Sequence, residues 1–210
     1  MPSSLKTQRI GIFGGTFDPV HLQHIHVAEQ AIQSLKLDIL YFIPNKIPSY
    51  RPAPLANAEH RLMMLKIAIR HHPQYQVDDG ELKRDGYSYS IDTLKLYRER
   101  FPNADIFFLI GSDQLIDLPN WDGYAAFQSL YHFAVAERPG FSIPKATVFF
   151  DPNVVHAPKT GLFFKLATTP QKTSATEIRS CLLKQGDFST LADLDSEVLA
   201  YIKRLHLYNE

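Results

Sequence analysis

The 210-residue chain has one cysteine, Cys181, and one tryptophan, Trp121. A lone thiol excludes an intrachain disulfide and fits a reducing compartment. Charge of either sign is also not in excess, with 22 Lys+Arg against 22 Asp+Glu. A general nucleic-acid binder needs a basic field to displace counterions, so any anion here must be met by local groups. No run approaches the roughly 20 apolar residues of a membrane span. The start, MPSSLKTQRIGIFGG, lacks an apolar segment of signal-peptide length. The expectation is a cytoplasmic protein with neither a membrane nor a nucleic-acid partner. Internal repeats, low-complexity tracts and linkers are missing too, which predicts a single domain over residues 1–210, its carboxyl-terminal helical portion (about 174–210) packed on the rest.

Hydrophobic residues make up 45% of the chain and charged residues 21%, an ordinary globular balance. Short apolar runs alternate with stretches of helical period. The predicted strands are Arg9–Phe13, Ile39–Ile43, Tyr75–Val77, Ile106–Ile110, His132–Ala136 and Leu162–Leu166. Helices are predicted over Pro19–Leu35, Asn57–His71, Ser90–Phe101 and Ser196–Leu205, while Asp78, Asp79 and Glu81 read as a solvated turn. This alternation predicts an α/β fold, Rossmann-like and doubly wound, with a mostly parallel sheet and helices on both faces. In such sheets ligands bind beyond the carboxyl ends of the strands.

Gly14 and Gly15 follow the first strand and let an anion approach the main chain. Asp18 suits an N-cap and Pro19 the first helical position, so the spacing predicts a helix starting there. Its free N–H groups and positive dipole end would suit a phosphate, with His21 and His24 on one side of the first turns. A tight turn with satisfied core histidines is the plainer alternative, and the convergence on one junction favours function. His26 lies about 200° around the helix from His24, so the three histidines cannot share a zinc ion, and no metal ligand set is expected. Near the other end, Ser174 and Glu177 have capping-box spacing, which predicts a second helix start carrying Ser174, Thr176 and Arg179.

GGTFDPVH resembles the signature of the bacterial nicotinate-nucleotide adenylyltransferases, within the nucleotidyltransferase superfamily marked by (His/Thr)-x-Gly-His. Gln23 stands where that signature has glycine. SATEIR, residues 174–179, resembles the family's Ser-(Ser/Ala)-Thr-x-(Ile/Leu)-Arg. The resemblance implies that Gly14, Gly15, Thr16, Phe17, His21, His24, Ser174, Thr176 and Arg179 bind ATP, with His21, His24 and Arg179 catalytic. It further implies that Gly111 and Asp113 in IGSDQL receive the adenosine side.

IPNKIPSYRP, residues 43–52, is similar to the family's Ile-Pro-Asn-x-x-Pro-Pro-His-(Arg/Lys) loop, with Ser49 and Tyr50 replacing Pro-His. Asn45 can offer an amide to ribose or phosphate, and Lys46 and Arg51 can meet a mononucleotide phosphate. Lys46 reads equally well as a solvated cation. SYSIDTL, residues 88–94, is similar to Ser-Tyr-Thr-x-x-Thr-Leu and implies that Ser90, capping the next helix, lies where the pyridine carboxylate is received. Trp121 matches the tryptophan that stacks on the pyridine, with a core tryptophan as the alternative. Asp122 follows it where relatives often carry a neutral residue. Arg138 in ERPG matches the family's Arg-Pro-Gly and is assigned to the mononucleotide.

The implied reaction is transfer of AMP from ATP to nicotinate mononucleotide, giving deamido-NAD and pyrophosphate, with Mg²⁺ carried on the substrate phosphates. Nicotinamide mononucleotide or phosphopantetheine as acceptor, a non-catalytic nucleotide sensor, and a homo-oligomer remain alternatives at this point.

Overall fold

The computed structural model describes residues 7–48, 52–121, 123–152, 160–168, 174–184 and 188–209. Its strands are β1 (Arg9–Gly15), β2 (Ile39–Pro44), β3 (Tyr75–Val77), β4 (Asp105–Gly111), β5 (His132–Ala136) and β6 (Phe163–Lys165). They form one six-stranded sheet in the order β3-β2-β1-β4-β5-β6. The pairs β1–β4, β4–β5 and β5–β6 are parallel, with Arg9 opposite Asp105 and Ile12 opposite Phe108. This is the doubly wound order expected of the fold class, reversing between β1 and β4. The strands lack polar alternation because both faces are covered: Ile10, Ile12, Ile106, Phe107, Phe133 and Phe164 are all buried. Gly11 is required where β1 is crossed closely, since a Cβ there would lie 2.6 Å from Leu37 Cδ1.

The helices are α1 (Leu22–Leu35), α2 (Ala58–Ile69), α3 (Gly80–Lys83), α4 (Ser90–Arg100), α5 (Ser112–Asp117), α6 (Tyr124–Leu130), α7 (Ala175–Lys184) and α8 (Ser196–Arg204). Asn57 caps α2 by accepting from His60 N at 2.9 Å, and Asp195 caps α8 by accepting from Glu197 N at 2.8 Å. Two expectations need correction. Helix α1 begins at Leu22, not Pro19, because Asp18 turns its carboxylate toward groups distant in the chain rather than toward the helix. The segment after β3 is the short helix α3, not a solvated turn: Glu81 is buried and faces Arg84 at 3.6 Å.

The described residues divide into two compact units. The first lies within Met1–Phe13, Glu29–Tyr41 and Ser90–Pro170. Here the Arg98 guanidinium donates to the carbonyls of Ala104 at 2.8 Å and Leu130 at 2.6 Å, tying the end of α4 to the start of β4 and the end of α6. The second lies within Gly14–Ala28, Phe42–Tyr89 and Gln171–Glu210. In it α2 meets α8, with His60 Nδ1 3.0 Å from the Tyr201 hydroxyl. Among the described residues no helix is long and apolar enough to cross a membrane.

Candidate active site

In the second unit, Gly14 and Gly15 end β1, and a Cβ at Gly15 would lie 2.9 Å from Phe17 Cζ. Phe17 adopts φ 50° and is buried, edge-on to His24 with ring centroids 5.1 Å apart. His21 directly precedes α1. Its carbonyl accepts from His24 N at 2.9 Å, and its own N–H donates to His24 Nδ1 at 3.2 Å. Nδ1 of His24 is therefore an acceptor, which leaves a neutral imidazole with its proton on Nε2. The two rings are 3.8 Å apart. The start of a 14-residue helix thus carries two neighbouring imidazoles, their planes tilted by 42°, at its positive dipole end, a setting suited to an anion.

Asp18 organises the ground beneath them. Its carboxylate accepts from Leu55 N (2.8 Å), Ala56 N (3.1 Å) and the Tyr208 hydroxyl (2.7 Å). Its carbonyl accepts from Arg179 Nη1 at 2.7 Å, and that nitrogen is 4.0 Å from Oδ2. Arg61, almost wholly buried, donates to the carbonyls of Thr16 (2.7 Å), Ala56 (3.2 Å) and Lys46 (3.3 Å). Desolvation lowers the pKa of its guanidinium, while the nearby Asp18 and Tyr208 oppose the shift. Burial, then the charge of Asp18, raises the pKa of Tyr208, which keeps the phenol protonated and donating.

Helix α7 begins as its capping box predicts: Ser174 N donates to Glu177 Oε2 at 2.8 Å, and Glu177 N to Ser174 Oγ at 3.2 Å. The Ser174 hydroxyl itself donates to Glu177 at 3.0 Å, and Thr176 Oγ1 accepts from Arg179 Nη2 at 3.2 Å. His21, His24, Thr16, Phe17, Thr176 and Arg179 are thus gathered in one unit, with Arg179 resting on Asp18 three residues before His21.

Beyond β2, Asn45 Nδ2 donates to Thr16 Oγ1 at 3.2 Å, while its Oδ1 is buried with no partner among the described residues. An amide oxygen only accepts, so the ligand group it suits is a hydrogen-bond donor. Lys46 is part-exposed and paired: its ammonium donates to Arg84 O at 2.8 Å and to the Asp85 carboxylate at 3.2 Å. Arg51, Ser49, Tyr50 and Asp122 lie outside the described residues.

In the first unit, β4 ends at Gly111, where a Cβ would collide with Asp113 Oδ1 and approach Arg138 to 3.1 Å. Arg138 pairs with Asp113 at 3.0 Å, and its backbone N–H donates to Ser112 Oγ at 2.9 Å. The structure therefore groups Arg138 with Asp113, on the adenosine side of the expected residue sets. Trp121 is half-buried and edge-on to Phe108 and Phe127 at 6.3 and 6.0 Å. Helix α4 starts at Ser90 itself, one residue earlier than a Ser90 cap would give.

Three residues escaped the sequence reading: Asp18 in its actual role, Arg61 and Tyr208. A signal existed for Arg61, a lone cation at the spacing of the buried stripe of α2. None existed for Tyr208, whose partner is 190 positions away.

The sheet order and the imidazole-bearing helix start define a doubly wound α/β protein with an end suited to anions. The chain belongs to the cytidylyltransferase-like family, whose profile matches residues 12–181. It is 35% identical over 212 residues to a protein of Shewanella frigidimarina named "Probable nicotinate-nucleotide adenylyltransferase", covering 95% of this chain and 99% of that one. A protein of the same name from Coxiella burnetii is 35% identical over 212 residues, covering 96% and 98%. One from Aeromonas salmonicida is 36% identical over 208 residues, covering 95% and 96%. The fold matches Plasmodium falciparum nicotinic acid mononucleotide adenylyltransferase complexed with NaAD, with a TM-score of 0.78 at 21% identity, covering 96% of this chain and 97% of that one.

Proposed function

We propose that this protein transfers the adenylyl group of ATP to nicotinate mononucleotide, releasing pyrophosphate and forming deamido-NAD. The observation that carries this reading is the placement of His21, His24 and Arg179 around one Asp18-anchored helix start. Full-length relatives named for that activity support it. A phosphate oxygen of the mononucleotide attacks the α-phosphorus of ATP. The bond from that phosphorus to the oxygen bridging to the β-phosphate breaks, and pyrophosphate leaves with the electron pair. The protein's work in such a transfer is positioning and charge stabilisation.

In this reading the N–H groups at the start of α1, with Gly14, Gly15, Thr16 and Phe17, hold the triphosphate. His24 donates from Nε2, the nitrogen left protonated by its contact with His21. Arg179, and the start of α7 with Ser174 and Thr176, neutralise charge that builds up on the leaving pyrophosphate. Asp113 accepts from ribose hydroxyls beside Gly111, with Arg138 orienting its carboxylate. Asn45 takes a hydroxyl of a substrate ribose on its unpartnered Oδ1. Ser90, Trp121 and Arg51 are assigned to the mononucleotide. Lys46 joins them only if it leaves Arg84 and Asp85.

Mg²⁺ is assigned to the substrate phosphates. Among the described residues no group of three or more His, Cys, Asp or Glu side chains could hold a metal ion, and Asp18 is already occupied by three donors. Such an ion would offset phosphate charge. A cytoplasmic location belongs to the same proposal and rests on the lone Cys181. The testing experiment is a coupled assay of dinucleotide formation from ATP with each pyridine mononucleotide and with phosphopantetheine. A kcat/KM highest for nicotinate mononucleotide is expected, and a preference for phosphopantetheine would overturn the assignment.

A further inference from the structure

In the second unit, one hydrogen bond joins a residue in the left-handed region to the neighbour of another. Phe17, at φ 50°, precedes Asp18; Tyr208, at φ 64°, ends a turn in which His206 also sits at φ 50°. Non-glycine backbone persists there only where its surroundings hold it. The bond between Asp18 and Tyr208 runs 2.7 Å from the phenol hydroxyl to Oδ1, with both side chains buried. Asp18 Oδ1 also accepts from Ala56 N, so removing the phenol takes one of two donors from a buried carboxylate oxygen. Two candidate catalytic groups rest on the same short segment: Arg179 on the carbonyl of Asp18, and His24 against the ring of Phe17.

We propose that Tyr208 is a positioning residue for the phosphate end, fixing residues 17–18 and through them the Arg179 guanidinium and the His24 ring. This rests on the reading above that the end binds the triphosphate of ATP. The carboxyl-terminal turn is then part of the catalytic apparatus without touching substrate.

The test compares Tyr208→Phe, which keeps the ring and deletes the donor, with Tyr201→Phe. The latter deletes a hydroxyl of the same kind in the same unit, at His60, away from Asp18. Tyr208→Phe is expected to lower kcat about tenfold while KM for the mononucleotide stays within about twofold. Tyr201→Phe is expected to keep wild-type kcat even where its melting temperature falls as far. Wild-type kcat in Tyr208→Phe, or an equal loss in Tyr201→Phe, overturns the proposal. Asp18→Asn provides the second variant should Tyr208→Phe not fold: the same kcat loss with unchanged mononucleotide KM supports it, and wild-type kcat overturns it. If the wild-type chain makes no dinucleotide, the functional reading fails. The positioning role is then read by calorimetric ATP affinity, where about tenfold weakening in Tyr208→Phe supports it and unchanged affinity overturns it.

Discussion

Arg179 donates a 2.7 Å hydrogen bond to the carbonyl of Asp18, a residue 161 positions earlier in the chain. That contact brings the start of α7 to the start of α1 and sets a guanidinium beside the segment leading into two imidazoles. A cation with fixed donors at such an end is what a polyphosphate requires, since charged hydrogen bonds to phosphate are stronger than neutral ones.

Replacing either imidazole tests that end directly. His21→Ala and His24→Ala are each expected to lower kcat by roughly 10²–10⁴ with the fold intact by circular dichroism. Turnover like wild type in either variant would remove that residue from the chemistry.

Arg61 is expected to act through stability. Arg61→Met keeps much of the volume but strips donors from the carbonyls of Thr16, Ala56 and Lys46 and leaves Asp18 without a nearby buried cation. Breaking buried charged networks costs about 3–5 kcal/mol, so the denaturant midpoint should fall sharply. A loss under about 1 kcal/mol would mean that the three segments hold together without it.

Much of this was legible in the sequence. The strands were readable because runs such as IFFLI are apolar on both faces, which only a covered parallel sheet requires. The α7 start was readable because Ser174 and Glu177 satisfy each other over three residues. The α1 start was not. Local preference makes Asp-Pro a helix entrance, but Asp18 gives its carboxylate to Leu55, Ala56 and Tyr208, and no local rule reaches partners 37 to 190 positions away. Helices α5 and α6 run only six and seven residues, too short for a period to emerge. The pairing of Lys46 was not readable, because both acceptors of its ammonium, the Arg84 carbonyl and the Asp85 carboxylate, lie in a distant turn.

At Gly111 the prediction concerns binding. Gly111→Ala would push a methyl against Asp113 and Arg138, displacing the carboxylate assigned to ribose. KM for ATP should rise about tenfold, equivalent to about 1.4 kcal/mol, while KM for the mononucleotide is unchanged. An unaltered ATP KM would separate Asp113 from the adenosine.

His132 gives the protein an acid limit. Burial first, then the charges of Arg98 and Arg9, hold its pKa down to about 4, against about 6.5 in an unfolded chain. Between those values the unfolded chain takes up a proton that the folded protein refuses. Stability therefore falls as pH drops from 6.5 to 4, by about 3 kcal/mol, and this residue adds no pH dependence above that window. His132→Gln should flatten that part of the curve in chemical denaturation at stepped pH. An unchanged slope would assign the acid sensitivity elsewhere.

The measurement closest to the central claim is the rate of dinucleotide and pyrophosphate formation from ATP and nicotinate mononucleotide, taken beside His24→Ala and Arg179→Ala. Stoichiometric products from wild type, with each variant slowed at least a hundredfold, is the predicted result. ATP binding without pyrophosphate release, or variants as fast as wild type, would contradict it.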